Sequence, residues 1–199
     1  MTGLLSVAAG LLELASTSIY IRRLVQGKTI LNTTTWLVAL ITMTMNTVSY
    51  IMVVHAELAE ILLPILINIG IIIIFFYALL KGRFAKIDLV DTVVLGLSLV
   101  IGVIWKTTNN AELANVALQV VLLISLVPMV VGLIKGTLRD HHLPWVLSWL
   151  AYLLQTIIVL LDSSGWHWSE LAFPVGNGLI GNGAIVLAVL WQQRYGKQE

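Results

Sequence analysis

Five carboxamide side chains lie near the middle of long apolar stretches of this sequence: Asn46, Asn68, Gln155, Asn177 and Asn182. A carboxamide surrounded by hydrocarbon must find hydrogen-bond partners, because it otherwise loses its hydration without compensation. Amides both donate and accept hydrogen bonds, so a group of them suits a neutral solute rich in hydroxyl or amide groups. The alternative use of such amides is to join one helix to the next, which contributes about 0.6–2 kcal/mol per contact in membranes.

Aromatic side chains accompany the amides in one of these stretches. Trp145, Trp149 and Tyr152 recur at helical spacing, which places them on one face of a helix, and Gln155 lies just beside them. This face predicts a platform on which a ring-shaped solute can stack. For Trp145 the alternative is anchoring at the membrane interface. Trp149 and Tyr152 lie deeper in the stretch, so they are the predicted site residues.

Glu13 is an acidic residue deep within the first apolar stretch. An ionisable group inside a membrane is costly and is therefore a functional hypothesis by default, so we predict that Glu13 binds protons as part of the function. A structural pairing, or a protonated carboxyl bonded to Ser16 or to a neighbouring helix, is an equally open interpretation.

The sequence contains no pattern typical of a catalytic, metal or cofactor site. It has no cysteine, which excludes disulfides and thiolate metal ligands. The adjacent His141 and His142 project in different directions, so they do not predict a metal site. Gly176–Gly181 matches the glycine pattern of a dinucleotide-binding loop, but no predicted strand precedes it, so it does not predict a nucleotide site. With a net charge of +1 the chain is not predicted to bind nucleic acid, and we predict neither an enzyme nor a cofactor.

Membrane helices must position these side chains. Hydrophobic residues make up 59% of the 199 residues and charged residues 11%, which leaves too little polar surface for a soluble globule. A helix needs about 20 apolar residues to cross the hydrocarbon core. Seven such stretches are present, near 3–21, 34–54, 58–80, 89–105, 113–134, 143–161 and 171–191. Because their connections are short, we predict an all-α protein with a single transmembrane domain over 1–199.

Basic residues divide unequally between the two ends of the predicted helices. Of the 11 Lys and Arg residues, only Lys106 lies on the same side of the predicted helix bundle as the N-terminus. Because Lys and Arg accumulate in cytoplasmic loops, the N-terminus is predicted outside and the C-terminus in the cytoplasm. The short loops indicate the inner membrane of a prokaryote. The other ten basic residues are Arg22, Arg23, Lys28, Lys81, Arg83, Lys86, Lys135, Arg139, Arg194 and Lys197.

The chain also contains an internal repeat. Sliding the sequence along itself superimposes turn, proline and aromatic positions of the first three stretches on the last three. The matched pairs are Leu24 and Leu133, Gly27 and Gly136, Trp36 and Trp145, and Pro64 and Pro174. Since one helix intervenes, the two repeats share one orientation. We predict a three-helix repeat over 1–80, a linker helix over 86–106 and a second three-helix repeat over 112–199.

This three-plus-one-plus-three plan resembles the PQ-loop superfamily, which includes the SWEET sugar transporters and the PnuC vitamin transporters. The run Ser125–Pro128 is similar to the proline-containing helix of that family. The resemblance implies solute binding by an asparagine on the third helix of each repeat, here Asn68 and Asn177. Where SWEET-like proteins carry a tryptophan after the second-helix amide, this chain has Tyr50 and Val159.

We therefore expect an alternating-access carrier, either a facilitator or proton-linked, for a small neutral polar solute such as a sugar or a nucleoside-like vitamin. Prolines inside helices remove a backbone hydrogen bond, so bends are predicted at Pro64, Pro128 and Pro174. The alternative is a membrane receptor or sorting protein of the same fold, which charged residues in a central cavity would favour. Besides the solute, the lipid bilayer is the predicted partner, and a homo-oligomer is left open. The predicted solute-binding residues are Asn46, Tyr50, Asn68, Trp149, Tyr152, Gln155, Asn177 and Asn182, with Glu13 as a proton-coupling group.

Overall fold

A computed structural model describes residues 2–28, 33–55, 57–81, 89–138, 140–162 and 167–195, with the backbone alone described for 33–35. Six long helices come first: α1 Thr2–Val25, α2 Thr33–Val53, α3 Leu58–Leu80, α4 Leu89–Thr108, α5 Ala111–Ile134 and α6 His142–Leu160. The last span joins α7 Trp168–Leu171, a wider π-helical segment Ala172–Asn182 and α8 Gly183–Tyr195. Four basic residues used for the predicted orientation, Arg83, Lys86, Arg139 and Lys197, lie outside the described residues.

Seven helical spans of the described chain are long and apolar enough to cross a membrane, which confirms the predicted all-α class and the number of spans. Their outer surface is apolar, with Leu4, Val103 and Leu187 well exposed. Polar side chains are buried instead, and Asn46 and Gln155 are completely inaccessible. This reversal of a soluble protein's pattern is what lipid requires, because a polar group facing hydrocarbon has no partner.

The helices pack in a definite neighbour pattern. α3 contacts both α1 and α2, and the last span contacts both α5 and α6. The closest pairings between these groups are α1 with α6 and α2 with α5, while α4 packs on α5 and α2. The interior where these helices meet contains the cavity described below.

Local residue chemistry fixes several helix ends. Asn110 caps α5, its side chain accepting a hydrogen bond from the Leu113 N–H at 2.9 Å. Gly27, just after α1, and Gly136, just after α5, have φ angles of +69° and +72°. Glycine is favoured in this left-handed conformation after a helix because it has no Cβ to clash.

The three prolines that were predicted to bend helices all lie within helical segments. Pro64 lies inside α3 and Pro128 inside α5, and Pro174 lies in the π-helical segment. The π-helical segment was not anticipated from the sequence. Its proline removes one backbone hydrogen bond, and widened turns of this kind are often found at functional sites.

Candidate functional site

A cavity of about 380 Å³ lies inside the bundle, within the size range of small-molecule binding sites. Its wall comes mainly from the C-terminal halves of α1, α3 and α5, the N-terminal halves of α2 and α6, and the last span from Asn177 to Ile185. The start of α4 adds Asp91, and the connection between α5 and α6 adds Leu138 and Asp140. Successive helices run in opposite directions, so all of these halves lie at one end of the bundle. It is the end that carries the basic connections, which are predicted to be cytoplasmic.

The opposite half of the bundle is packed with large apolar side chains. Tyr50 and Phe173 are completely buried, with ring centroids 4.9 Å apart. Tyr152 packs edge-on against Phe173 at 5.4 Å, and Leu63 belongs to the same cluster. This cluster separates the cavity from the end of the bundle where α1 begins.

Glu13 forms the polar floor of the cavity and links α1 to α6. Its carboxylate accepts hydrogen bonds from Ser148 Oγ at 2.8 Å and from Thr17 Oγ1 at 3.2 Å. One turn further along α1, Ser16 Oγ donates to the Pro144 carbonyl at 2.8 Å. Of the interpretations left open for Glu13, the structure shows a bond to a neighbouring helix, which the carboxyl accepts from Ser148, while Ser16 bonds the Pro144 carbonyl instead. All of these side chains line the cavity.

Three predicted site residues meet where α6 packs against the last span. Asn177 Nδ2 donates to the Tyr152 hydroxyl at 2.9 Å, and Asn182 Nδ2 donates to the Asn177 carbonyl at 3.2 Å. Gly178 lies so close to the Tyr152 ring that a Cβ atom would overlap it. The π-helical segment therefore brings its backbone and its amides directly against α6.

Aromatic rings line the end of the cavity nearest the helix termini. We call Tyr20, Trp36 and Trp145 the aromatic mouth. The Tyr20 ring centroid lies 5.9 Å from that of Trp36 and 6.0 Å from that of Trp145. Trp145 Nε1 donates to Asp140 Oδ2 at 2.9 Å, which holds the indole in place and adds a carboxylate to the wall.

Beside this mouth, His141 caps the N-terminus of α6. Its ring nitrogen accepts a hydrogen bond from the Leu143 N–H at 3.2 Å. Burial and, to a smaller extent, the positive charges of Arg23 and His142 lower the pKa of His141 below its ordinary value. A lowered pKa favours the neutral ring, which is the form that can accept this bond.

Asn46 belongs to a buried polar cluster between α2 and α5 instead of the cavity. Its Oδ1 accepts from Asn115 Nδ2 at 3.3 Å and from Gln119 Nε2 at 2.5 Å. Asn115 Nδ2 also lies 3.3 Å from Ser49 Oγ. These bonds correspond to the alternative use of membrane amides, the joining of two helices.

The other predicted site residues also lie apart from the cavity. Asn68 Oδ1 accepts from Thr44 Oγ1 at 3.2 Å. Gln155 Nε2 donates to the Glu60 carbonyl at 2.9 Å. Trp149 Nε1 donates to the Leu179 carbonyl at 3.1 Å. Of the predicted residues, the cavity thus brings together Glu13, Pro128, Tyr152, Asn177 and Asn182.

Several cavity residues were missed in the sequence, chiefly hydroxyl and acidic side chains. A helical signal was available, because Glu13, Ser16, Thr17 and Tyr20 share one face of α1. For Ser148 no local signal exists, since its role depends on the packing of α6 against α1. The cavity residues that were not among the predicted site residues include Ser16, Thr17, Tyr20, Asp91, Ser125, Asp140 and Ser148.

Within the described part of the chain, no group of three or more His, Asp or Glu side chains is placed to hold a metal ion. Comparison of the chain with models of known protein families, with characterised proteins and with solved structures gives no match. Function is therefore inferred from the cavity.

Proposed function

We propose that the protein is an alternating-access membrane transporter that binds a small polar solute in this cavity. The observation that carries the proposal is a chamber of about 380 Å³ inside a bundle of seven apolar spans, whose largely apolar wall includes the polar side chains of Glu13, Ser148 and Asn177. The packed cluster around Tyr50 and Phe173 separates it from one end of the bundle. A chamber near the midplane that faces one side at a time is how repeat transporters hold their substrates.

We further propose that the bundle consists of two three-helix repeats joined by α4, as in the PQ-loop proteins that the sequence resembles. The neighbour pattern supports this, because α3 contacts α1 and α2 as the last span contacts α5 and α6. Gly27 and Gly136, matched in the repeat, both follow the first helix of a triplet with nearly the same φ angle. Trp36 and Trp145, also matched, flank Tyr20 from α2 and α6.

Rocking of one triplet against the other would alternate access to the cavity. The Tyr20–Trp145 contact joins the two triplets at the mouth, and the Tyr50–Phe173 contact joins them in the packed half. Separating one contact while closing the other exposes the chamber to opposite sides in turn. Pro128, which lines the cavity, is the proline best placed to bend a moving wall.

For the solute, the sequence prediction is a neutral compound such as a sugar or a nucleoside-like vitamin. The clustering of Tyr152, Asn177 and Asn182 on one wall supports a polar ligand. We propose the orientation given by the basic residues, with the C-terminus in the cytoplasm of a prokaryotic cell. The cavity would then face the cytoplasm.

A second candidate function is a receptor or sorting protein that binds its ligand without moving it. The observation that favours it is the presence of charged groups in the cavity wall, namely the carboxyls of Glu13, Asp91 and Asp140. Binding alone does not separate this candidate from a carrier, whereas movement of the ligand across a sealed bilayer does.

The test is solute counterflow in proteoliposomes that contain the purified full-length chain, with D-glucose and uridine as labelled solutes. We expect exchange of at least one of them above the level of protein-free liposomes. Asn177→Ala should abolish that exchange because the residue lines the cavity, while Asn68→Ala, which contacts Thr44 away from it, should not. Stoichiometric binding without exchange would establish the receptor, and equal loss in both variants would place the site elsewhere.

A further inference from the structure

We propose that the carrier moves a proton together with its solute, that Glu13 binds the proton, and that α6 links the proton site to the solute site. This inference rests on the proposed function and names its coupling ion. The sequence left a facilitator and a proton-linked carrier open. The contacts that Glu13 makes with Ser148, and Tyr152 with Asn177, favour the proton-linked carrier.

The partners of Glu13 are the first observation. Its two carboxyl oxygens accept hydrogen bonds from neutral hydroxyl groups, Oε1 from Thr17 and Oε2 from Ser148. The side chain is buried, and within the described chain it has no Lys, Arg or His partner. A carboxylate without a positive partner is costly in a membrane interior, and a proton is the simplest ligand that removes its charge.

The position of Glu13 is the second observation. The residue lies at the middle of α1 and lines the cavity. Coupling-ion sites of repeat transporters lie near the bilayer midplane, where rocking of the repeats exposes them to each side in turn. The packed cluster around Tyr50 and Phe173 closes one of the two routes. Opening that cluster while the mouth closes would give the same carboxyl access to the opposite side.

The third observation is that one face of α6 contacts both sites. Ser148 and Tyr152 are four residues apart, so their side chains lie one above the other along the helix. Ser148 donates to Glu13 on α1, and the Tyr152 hydroxyl accepts from Asn177 on the last span. A solute that binds the Asn177 amide therefore acts on the same helix face that holds the proton site.

The other titratable groups around this carboxyl differ from it. α1 packs on α6 and α3, and from α6 the Tyr152 hydroxyl lies close enough to interact with the carboxyl electrostatically. Asp91 and Asp140 also line the cavity, but each has interactions of its own. The remaining titratable side chains of α1, α3 and α6 lie toward the helix ends: Tyr20, Arg22, Arg23, Glu60, Tyr77 and His142.

Proton binding would change the contact between α1 and α6. The ionised carboxylate only accepts hydrogen bonds, so both hydroxyl groups donate to it. A proton taken from water converts one carboxyl oxygen into an O–H donor, and the hydroxyl group beside that oxygen must then turn to accept or move away. Release of the proton to water on the other side restores the carboxylate. The bond that joins the two helices therefore depends on the proton.

The experiment measures uptake of labelled D-glucose and uridine by proteoliposomes whose exterior is about one pH unit more acidic than the interior. Equal potassium on both sides with valinomycin holds the membrane potential at zero, and sodium is left out. One proton moved with each solute molecule allows accumulation of up to about tenfold over equilibrium. We expect a solute that shows counterflow to accumulate, and a protonophore to abolish the accumulation.

Two buried glutamates form a matched pair of variants. Glu13→Gln keeps the shape of the side chain but has no proton to exchange, so uptake should fall to the equilibrium level at whatever rate exchange then proceeds. Glu60 is 5% exposed against 6% for Glu13, but it does not line the cavity. Glu60→Gln should therefore still accumulate the solute.

A pair of substitutions at Ser148 keeps the test decisive if Glu13→Gln is inactive or does not fold. Ser148 is a positioning residue for the carboxyl. Ser148→Ala removes its hydrogen bond, whereas Ser148→Thr retains a hydroxyl group. We expect the pH of half-maximal accumulation to shift by about one unit in Ser148→Ala and to stay unchanged in Ser148→Thr.

The outcomes separate this inference from the proposed function. Counterflow without accumulation in the wild type, or accumulation that follows a sodium gradient instead, would overturn proton coupling and leave the transporter intact. Accumulation that persists in Glu13→Gln, or an unchanged pH profile in Ser148→Ala, would overturn the assignment of the proton site. Neither counterflow nor accumulation of either solute would contradict the proposed function as well.

Discussion

At the scale of single residues, the amides of this protein divide into two uses. Asn177 and Asn182 face the cavity, and Asn46 joins α2 to α5 through Asn115 and Gln119. The side chains are chemically alike, so the difference lies in which neighbour each one reaches. A structural amide and a binding amide should respond differently to the same substitution.

We predict that Asn46→Ala lowers the free energy of unfolding by about 1–3 kcal/mol, because it removes the acceptor of two buried amide groups. Solute affinity of the folded fraction should stay within about twofold of the wild type, since Asn46 does not line the cavity. Denaturation in mixed micelles and ligand titration measure the two quantities. The matched control is Asn68→Ala, which removes a single contact at a partly exposed residue and should destabilise less. A large loss of solute affinity in Asn46→Ala would show that Asn46 contributes to solute binding after all.

At the scale of elements, the last span is the one whose geometry departs from an ordinary α-helix. Its π-helical segment holds Pro174 together with three glycines, Gly176, Gly178 and Gly181. The widened turns and the missing side chains bring this backbone close to α5 and α6, where a Cβ at Gly176 would contact Gln119 and one at Gly178 would overlap Tyr152. Close approach at small residues is a common way for membrane helices to associate.

Gly178→Ala tests this close approach. The added methyl must displace the Tyr152 ring, whose hydroxyl accepts the hydrogen bond of Asn177. We expect a destabilisation of about 1–3 kcal/mol together with a loss of solute affinity, measured by thermal unfolding and ligand titration. Gly96→Ala on α4 is the control, because nothing lies within 4 Å of its Cβ position. Equal behaviour of the two variants would show that the last span has room to adjust.

At the scale of the whole molecule, the arrangement places a chamber in one half of the bundle and a packed cluster in the other. The chamber is lined by the helix halves adjoining the basic connections. The orientation of the protein in the membrane therefore decides from which side the chamber can be reached. With the C-terminus in the cytoplasm, a reagent should reach the cavity from the cytoplasmic side.

Single cysteines can test orientation and access together, since the chain contains none of its own. Ser125 lines the cavity and bonds only its own helix, at the Leu122 carbonyl, so Ser125→Cys should be mild. We predict that a membrane-impermeant maleimide labels it in inside-out vesicles and not in intact cells. Ser49→Cys, in the buried α2–α5 cluster, should stay unlabelled in both. Labelling of position 125 in intact cells alone would contradict either the proposed orientation or the proposal that the cavity opens to the cytoplasm.

The sequence by itself determined the protein class, the seven spans and the all-helical architecture. These properties depend on the length and composition of contiguous stretches, which a chain carries locally. It also indicated part of the cavity wall, because Glu13, Tyr152, Asn177 and Asn182 are unusual residues in apolar surroundings. A polar residue in a membrane helix predicts that its side chain has a hydrogen-bond partner, but the sequence does not identify that partner.

Only the tertiary structure decided which of these groups meet. Glu13 and Ser148 are separated by 135 residues, and Asn46 and Gln119 by 73. In a soluble helix, apolar periodicity would show which face points inward. Here lipid and protein interior are both apolar, as in α3, where Ile61 to Leu80 is apolar almost throughout. The rotation of each helix is therefore set by packing between distant segments, and that packing placed three carboxyl groups and an aromatic mouth around one cavity.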